Sequence, residues 1–303
     1  MKEFNSYFIG MGALGASFAA QILKHHPANI QIIAKGERAQ RLSQGITVNG
    51  EHFPLTVTDT PTKKADLIIV AVKYPQLEEA ILDIKPFVSE DTLILSILNG
   101  LYSETRLSEV FGAEKVIMSF GLAMDCSKKG NEIHYKNLGR LVFGDESNKV
   151  KSPRVKRVEE FFKNNDLPYE IPLDMNRAMW FKFMLNTGVN QVSSLLRAPF
   201  KEFHTNTHAS SMMILAAREV LELARKKGIN LQEEDIDLMV KTINALDPEG
   251  KTSMLQDLEA RRVTEVDYFS GEIIKMGKLL NVPTPINEFL FHAIKYQESL
   301  IKV

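Results

Sequence analysis

The run Gly10-Met11-Gly12-Ala13-Leu14-Gly15 constrains the fold more than any other feature of the chain. A buried strand is predicted directly before it (residues 4–9) and a helix directly after its second glycine (residues 13–24). At this spacing the first glycine permits a tight turn, the second lets the backbone approach a pyrophosphate, and the third lets helix and strand pack closely. The helix N-terminus adds amide donors and a positive dipole. The run therefore predicts a nicotinamide-dinucleotide site in a Rossmann-like sheet.

The rest of the first half alternates short apolar strands with helical stretches. Further strands are predicted at residues 30–34, 67–72, 92–97 and 115–119. Continuous apolar runs of this length, separated by helices, are typical of a doubly wound parallel sheet buried on both faces. Between residues 120 and 144 short strands alternate with turn residues, which indicates an antiparallel extension of the sheet.

The second half of the chain has a helical pattern. Asp174 is placed as the cap of a long helix through residue 194. Further helices are predicted at residues 205–227, 233–246, 257–280 and 286–300, with breaks at residues 228–230, 247–250 and 283–285. The fold class is thus α/β: residues 1–172 form a Rossmann-like domain and residues 173–303 an all-helical domain. We expect the active site in the cleft between them.

Composition narrows the class of partner. A net charge of −1 over 303 residues leaves no basic surface for nucleic acid or for an anionic membrane. The single cysteine, Cys126, cannot form an internal disulfide or build a metal cluster, which favours a reducing cytoplasm. The apolar runs are far shorter than the ~20 residues of a membrane span. We expect a cytoplasmic protein whose partner is a small molecule.

Residue 35 bears on the choice between NAD and NADP. An acidic residue about 20 positions after the glycines normally accepts hydrogen bonds from the ribose of NAD. Lys35 occupies that position here, with Arg38 nearby. A cation would pair with the 2′-phosphate of NADP, whereas Glu37 would disfavour that phosphate. The sequence favours NADP(H), with NAD as the alternative.

Two more residues follow strands at the edge where parallel sheets bind their ligands. Lys73 comes after the strand at residues 67–72, and Asn99-Gly100 comes after the strand at residues 92–97. Lys73 is placed at the ribose or the phosphates and Asn99 at the nicotinamide ribose. Asn99-Gly100 is equally compatible with a plain turn.

Lys182, Asn186 and Asn190 follow one another at four-residue intervals on the long predicted helix. This spacing puts them along one face, with a drift of about 40° per step. Their neighbours are largely apolar, so the helix is expected to be buried, and buried amides need partners. One interpretation is an internal polar network with a snorkelling lysine. The other is a row of groups facing a small polar substrate, with a lysine of lowered pKa that gives up a proton to a developing alkoxide.

A second cluster runs from Ser253 to Asp257, with Thr264-Glu265 further on. If Ser253 and Gln256 form a capping box, a helix that continued through Glu265 would separate Ser253 from Glu265 by ~18 Å. If Asp257 is the cap, Ser253 lies in a loop that can fold back. The sequence does not choose between these two arrangements.

Taken together, these segments resemble the ketopantoate reductases (2-dehydropantoate 2-reductases). The resemblance extends over nearly the whole chain and rests on residues 10–15, Lys73, Asn99-Gly100, the pattern Trp180-x-Lys182-x3-Asn186-x3-Asn190, and the segments Ser253-Met-Leu-Gln-Asp257 and Thr264-Glu265-Val-Asp267. The glycines are common to many dehydrogenases, whereas the lysine-asparagine helix combined with the last two segments is far more specific. The chain departs from the family at Phe200, where some members have a polar residue, and over residues 119–126.

The resemblance implies NADPH-dependent reduction of 2-dehydropantoate to (R)-pantoate, in the pathway to pantothenate and coenzyme A. It implies that Lys182 is the general acid and that Glu265 lies beside it and the cofactor. Asn186, Asn190 and Ser253 would bind substrate. Lys73 and Asn99 would contact NADP, with Asn99 also at the substrate, and Lys35 stands where the family often has an arginine for the 2′-phosphate.

Two alternatives stay open from the sequence: a reductase of the same fold for another 2-oxo acid or an imine, and a non-catalytic NADP-binding regulator. The first is possible because fold and cofactor site do not fix the substrate. The second leaves the lysine-asparagine row unexplained. A homodimer is also possible, since helix faces packed within and between chains look alike in sequence.

Overall fold

The computed structural model describes residues 4–26 and 30–301. They form two compact units. The first contains the described residues of Met1–Asn99 and Ser103–Met175, and the second those of Gly100–Tyr102 and Asn176–Val303. The main division thus lies between Met175 and Asn176.

The first unit is built on a mostly parallel sheet with flanking helices. In chain order its strands are β1 (Ser6–Ile9), β2 (Ile30–Ile33), β3 (Ile46–Val48), β4 (Glu51–Phe53), β5 (Val57–Thr58), β6 (Leu67–Val70), β7 (Leu93–Ser96), β8 (Val116–Leu122), β9 (Ser127–Lys129), β10 (Glu132–His134), β11 (Arg140–Gly144) and β12 (Tyr169–Glu170). The helices between them are α1 (Ala13–His25), α2 (Gly36–Leu42), α3 (Leu77–Ile84), α4 (Tyr102–Phe111, whose first residue belongs to the second unit) and α5 (Pro153–Asn164). Every residue of β1, β6 and β7 is buried, as expected for central strands covered on both faces.

The strand order of the large sheet is β12-β11-β8-β7-β6-β1-β2-β5. From β1 the chain first proceeds through β2 to β5 on one side, and then returns to β6, β7 and β8 on the other side. The order therefore reverses between β1 and β6, and ligands of such sheets bind outside the carboxyl ends of the strands at this reversal. The glycine run follows β1 and Lys73 follows β6, so both lie at that point.

The region between residues 120 and 144 is only in part an extension of the large sheet. Strand β11 pairs antiparallel with β8 and extends it, as predicted. The β9–β10 hairpin instead joins β3 and β4 in a separate sheet with the order β4-β3-β10-β9. Its inner side chains, among them Ile46 and Ile133, are buried in the same core as α1. The small sheet therefore packs against α1.

The second unit is helical. Its helices are α6 (Met175–Leu196, whose first residue belongs to the first unit), α7 (Phe200–Thr205), α8 (Thr207–Lys226), α9 (Glu234–Asn244), α10 (Ser253–Glu259), α11 (Ser270–Leu280) and α12 (Pro285–Ser299). Helix α6 begins directly after Asp174 and packs into an apolar core with α8, α11 and α12. Within the two described ranges, no helix combines the length and apolar character needed to cross a membrane.

The helix predicted at residues 205–227 is confirmed as α8, which begins two residues later because the Asn206 side chain accepts hydrogen bonds from the backbone of His208 (2.9 Å) and Ala209 (3.2 Å) and so caps it. One predicted helix is wrong. The helix predicted at residues 257–280 is two helices, α10 and α11. The chain turns at Arg261, which has a positive φ of 53°, and a short 3-10 turn precedes α11.

Candidate functional site

The glycine run forms a tight connection between β1 and α1. Gly10 has a φ of +96°, and a Cβ there would lie 2.4 Å from the carbonyl carbon of Ala71. A Cβ on Gly15 would lie 2.1 Å from the carbonyl oxygen of Gly10. Neither position has room for a side chain, because the turn packs directly on the segment after β6.

Gly12 differs from the other two glycines. It is exposed and caps α1, and the nearest atom to a Cβ built on it is the Ala71 carbonyl oxygen at 3.9 Å. The packing of the protein therefore does not require glycine here, whereas a pyrophosphate approaching the backbone would. Ala13 and Leu14 begin the helix, whose first amides lack intrahelical acceptors. The loop thus fits the phosphates of a dinucleotide.

The two cations predicted for a 2′-phosphate are both paired with carboxylates of α3. The Lys35 ammonium lies 2.7 Å from Asp83, whose side chain is buried, and Arg38 lies 3.4 Å from Glu79. The hydrogen bond that Lys35 donates to Asp83 raises the pKa of Lys35. An ammonium has three donors, so Lys35 can remain on Asp83 and still donate to a phosphate.

The carboxyl ends of β6 and β7 are joined by a hydrogen bond. The hydroxyl of the buried Tyr74 donates to the backbone carbonyl of Asn99. Lys73, directly before Tyr74, is exposed. The structure thus brings the segments of Lys73 and Asn99 together at the edge of the sheet that also holds the glycine run.

A buried acid lies close to this edge. Glu104 is 8% exposed, and its Oε2 accepts a hydrogen bond from the Ser103 hydroxyl (2.9 Å). Ser103 in turn accepts from Ser96 at the end of β7 (2.8 Å). The other oxygen, Oε1, has no hydrogen-bond partner among the described residues. Burial raises the pKa of Glu104 to about 8, so the carboxyl group keeps its proton at neutral pH.

We predict that Glu104→Gln raises the melting temperature by a few degrees at pH 8–9 and by less at pH 5. A carboxyl whose pKa is raised from 4.5 to about 8 on folding binds more protons in the folded state. The stability of the wild-type protein therefore falls as the pH rises through that interval, and the amide removes this loss. Thermal unfolding at both pH values measures it, with the exposed Glu90→Gln as control. A pH-independent difference between Glu104→Gln and wild type would contradict the buried, protonated acid.

In the second unit, Lys182, Asn186 and Asn190 lie along one face of α6, as predicted from their spacing. Asn186 is 5% exposed and Asn190 is 6% exposed, and Lys182 is partly buried. Neither asparagine side chain forms a hydrogen bond with any other described residue. Neither amide is completely shut off from solvent, so both can bind water or a ligand.

Gln191 and Ser193 of the same helix are paired, whereas the buried hydroxyls of Thr187 and Ser194 have no hydrogen-bond partner among the described residues. The Gln191 side chain contacts Thr187, Ser270 and Asn287, and the Ser193 hydroxyl donates to the carbonyl of Ala198 (2.6 Å). The internal polar network anticipated for this helix therefore exists, but it uses Gln191 and Ser193. Asn186 and Asn190 are left to bind something else.

Lys182 has an unusual electrostatic environment. Burial lowers its pKa to about 8, and no carboxylate counteracts that shift. Within the described part of the chain Lys182 forms no ion pair, Glu265 included. A lysine of this kind can carry a proton and release it near neutral pH.

Ser253 is the first residue of α10, and Thr252 caps that helix. The Thr252 hydroxyl accepts from the backbone of Leu255 (3.2 Å) and donates to Ser193 on α6 (3.1 Å). Both arrangements considered from the sequence are therefore wrong. Gln256 binds the backbone carbonyl of Lys251 (3.0 Å) rather than completing a capping box. Asp257 is not the cap, because it lies inside α10, where its carboxylate accepts from Arg262 (2.7 Å).

These contacts tie Ser253 to α6. Ser193 lies one turn beyond Asn190, so the Thr252–Ser193 hydrogen bond fixes the start of α10 beside the end of the asparagine row. Glu265 directly precedes the 3-10 turn Val266–Tyr268. The loop before it is fixed by Glu298, which accepts from the backbone and hydroxyl of Thr264, both at 2.7 Å. The roles of Ser253 and Glu265 stay predictions.

Sequence reasoning missed Asp83, Glu104 and Thr252. Asp83 and Glu104 gave no local signal, because their importance depends on burial and on distant partners. Thr252 did give one, since a threonine directly before a helical stretch is a preferred cap.

Two family models together match most of the chain. One, described as ketopantoate reductase PanE/ApbA, matches residues 7–148, and the other, described as its C-terminal domain, matches residues 174–298. A curated relative named 2-dehydropantoate 2-reductase, from Pyrococcus horikoshii, is 26% identical over 300 residues and covers 97% of both chains.

Solved structures have the same fold. A 2-dehydropantoate 2-reductase from Geobacter metallireducens superposes with a TM-score of 0.85 at 22% identity, covering 97% of this chain and 99% of its own. A D-mandelate dehydrogenase with NADH and anilino(oxo)acetate also reaches a TM-score of 0.85 at 22% identity, covering 98% and 99%. At such identities these structures support the fold alone.

Proposed function

Because the chain belongs to the ketopantoate reductase family and is an oxidoreductase of that family, we propose that it reduces 2-dehydropantoate to (R)-pantoate with NADPH. The reaction would serve the synthesis of pantothenate and coenzyme A. The observation that carries the proposal is the row of Lys182, Asn186 and Asn190, buried or partly buried on one helix and unpaired within the described residues.

Each group of the row matches a part of the substrate. A 2-oxo acid presents a ketone, a carboxylate and, in 2-dehydropantoate, a hydroxyl. Amide side chains donate and accept hydrogen bonds, so Asn186 and Asn190 suit the carboxylate and hydroxyl. Ser253, held at the end of the row by Thr252, adds a further hydroxyl donor.

Reduction of the ketone requires a hydride at C2 and a proton at its oxygen. The bound dinucleotide supplies the hydride. Lys182 holds a proton on its Nζ, donates a hydrogen bond to the ketone oxygen and transfers that proton as negative charge develops there. Its lowered pKa, about 8, makes this transfer favourable near neutral pH, because a lysine of ordinary pKa would be a weaker acid.

The preference for NADPH over NADH rests on Lys35. The Asp83 carboxylate fixes the Lys35 ammonium at the N-terminus of α2, where it can donate to a 2′-phosphate. No acidic residue occupies the position from which NAD-dependent enzymes of this fold bind the ribose hydroxyls.

We predict that kcat/KM for ketone reduction falls as the pH rises through about 8. A general acid must be protonated, Lys182 is protonated below its pKa, and kcat/KM reports the pKa of the free enzyme. Initial rates of NADPH oxidation between pH 6 and 10 measure the profile. Lys182→Arg should turn over far more slowly, because a guanidinium does not release its proton in this range, and its residual rate should lack the falling limb. A wild-type profile that is flat up to pH 10 would contradict the assignment.

A reductase for a different 2-oxo acid is the second candidate. It is favoured by the D-mandelate dehydrogenase of the same fold and by Phe200, whose ring packs on Gly250 where some family members have a polar residue. A panel of 2-oxo acids, each with NADPH and with NADH, separates the candidates by kcat/KM. The proposal requires 2-dehydropantoate with NADPH to be the best pair by at least tenfold. A higher value for an aromatic 2-oxo acid would favour the second candidate.

A further inference from the structure

Lys128 contacts the glycine run from outside the large sheet. It lies on β9, and its ammonium donates a hydrogen bond to the backbone carbonyl of Met11. Met11 stands between the glycine that makes the turn and the glycine that caps α1. The Lys128 ammonium therefore lies at the rim of the loop to which we assign the phosphates. Although much of its side chain is exposed, the ammonium itself is partly buried.

The charge of Lys128 is not neutralised by the protein. The pKa of Lys128 is lowered by burial of the ammonium and by the positive charge of Arg41. Over residues 4–26 and 30–301, neither Lys128 nor Arg41 forms an ion pair with a carboxylate. Lys35 and Arg38, by contrast, are paired with Asp83 and Glu79. Two neighbouring cations without a counter-charge attract an anion.

The hairpin that carries Lys128 is fixed on α1. Cys126, just before β9, lies beside the side chain of Ser17 on that helix. Ile133 on β10 is fully buried in the core shared with α1. After β10, the Tyr135 backbone exchanges hydrogen bonds of 3.0 and 3.1 Å with the side chain of Asn49. These contacts hold the position of Lys128 relative to the glycine run before any ligand binds. Less conformational entropy is therefore lost when its ammonium binds a ligand.

We propose that Lys128 is a cofactor-binding residue that donates to the pyrophosphate of the dinucleotide, with Arg41 adding positive charge beside it. The ammonium can do this without leaving Met11, because it has three donors. The inference rests on the proposed dinucleotide site and adds to it a cation from the small sheet. The choice of the pyrophosphate over the 2′-phosphate follows from Met11, which belongs to the loop that binds the pyrophosphate.

The test compares Lys128→Met with Lys129→Met in the full-length protein. Lys129 is the next residue of the same strand and is also exposed, so its loss removes the same charge without the contact to Met11. Isothermal titration with NADPH, NADH and ADP-ribose measures pyrophosphate binding, and 2′-AMP measures binding of a 2′-phosphate alone. Lys128→Met should weaken the first three by about tenfold and leave 2′-AMP unchanged, as for the loss of one charged hydrogen bond. Lys129→Met should bind all four like wild type, and Lys128→Arg should restore most of the affinity.

Three outcomes would overturn the assignment. Equal ADP-ribose affinity in wild type and Lys128→Met would remove Lys128 from the pyrophosphate. A loss confined to NADPH and 2′-AMP would place the lysine at the 2′-phosphate instead. A wild-type protein that binds no dinucleotide would overturn the proposed function together with this inference.

Discussion

Lys182→Ala is expected to lower kcat by about 10³-fold while NADPH binds with unchanged affinity, because a positioned general acid typically contributes 10²- to 10⁴-fold. Lys182 lies on α6, and its pKa of about 8 results from burial alone. Among the described residues, no other lysine combines such a lowered pKa with a row of unpaired buried amides. Removing it leaves the developing alkoxide without its proton donor, whereas the glycine loop belongs to the other unit.

The controls separate loss of the acid from loss of the fold. Lys201→Ala removes a lysine from α7 that pairs with the exposed Glu249, and it should retain wild-type kcat. Added ethylamine should partly restore turnover to Lys182→Ala, because it supplies an ammonium to the space left by the side chain. The assignment fails if Lys182→Ala keeps more than about a tenth of wild-type kcat, since that loss is below the usual range for a general acid.

Gly12→Ala is expected to weaken dinucleotide binding by roughly 10- to 100-fold with little change in melting temperature. The nearest atom to a Cβ on Gly12 is 3.9 Å away, so the protein itself accommodates the methyl group. The pyrophosphate does not, because it must approach the backbone at this glycine. A methyl group in a closely packed contact costs about 1–3 kcal/mol. Titration of NADPH and a thermal unfolding curve measure the two effects.

Gly15→Ala provides the contrast. Its Cβ would lie 2.1 Å from the Gly10 carbonyl oxygen, so the helix has to shift away from the strand. We expect a melting temperature several degrees lower, together with weaker binding. If Gly12→Ala binds NADPH like wild type, the pyrophosphate does not lie on this loop. If Gly12→Ala instead has a clearly lower melting temperature, the protein does not have room for a methyl group at Gly12.

The sequence predicts those parts of the fold that depend on local pattern. The strand before Gly10, the helix after Gly12 and the doubly wound sheet all follow from apolar runs and glycine spacing. The face shared by Lys182, Asn186 and Asn190 follows from helical periodicity. These features need no knowledge of distant contacts.

Features that depend on distant partners were not predictable. The start of α10 is decided by Thr252, whose hydroxyl reaches Ser193, 59 residues away. The sequence predicts Lys35 as a cation for the 2′-phosphate, but it does not predict the ion pair with Asp83, which is 48 residues away. Likewise, periodicity places Asn186 and Gln191 on the same buried helix, and only the surrounding side chains show that Gln191 is paired while Asn186 is not.

The proposed function requires a hydride from the dinucleotide and a proton from Lys182 for the reduction of a 2-oxo acid. Its most direct test is a single turnover of 2-dehydropantoate with NADPH carrying deuterium at both C4 positions of the nicotinamide, followed by mass spectrometry and NMR of the product. The account predicts (R)-pantoate with deuterium at C2 from the wild-type protein, and almost none from Lys182→Ala in the same time. Absence of deuterated pantoate with the wild-type protein, or equal amounts from both proteins, would contradict it.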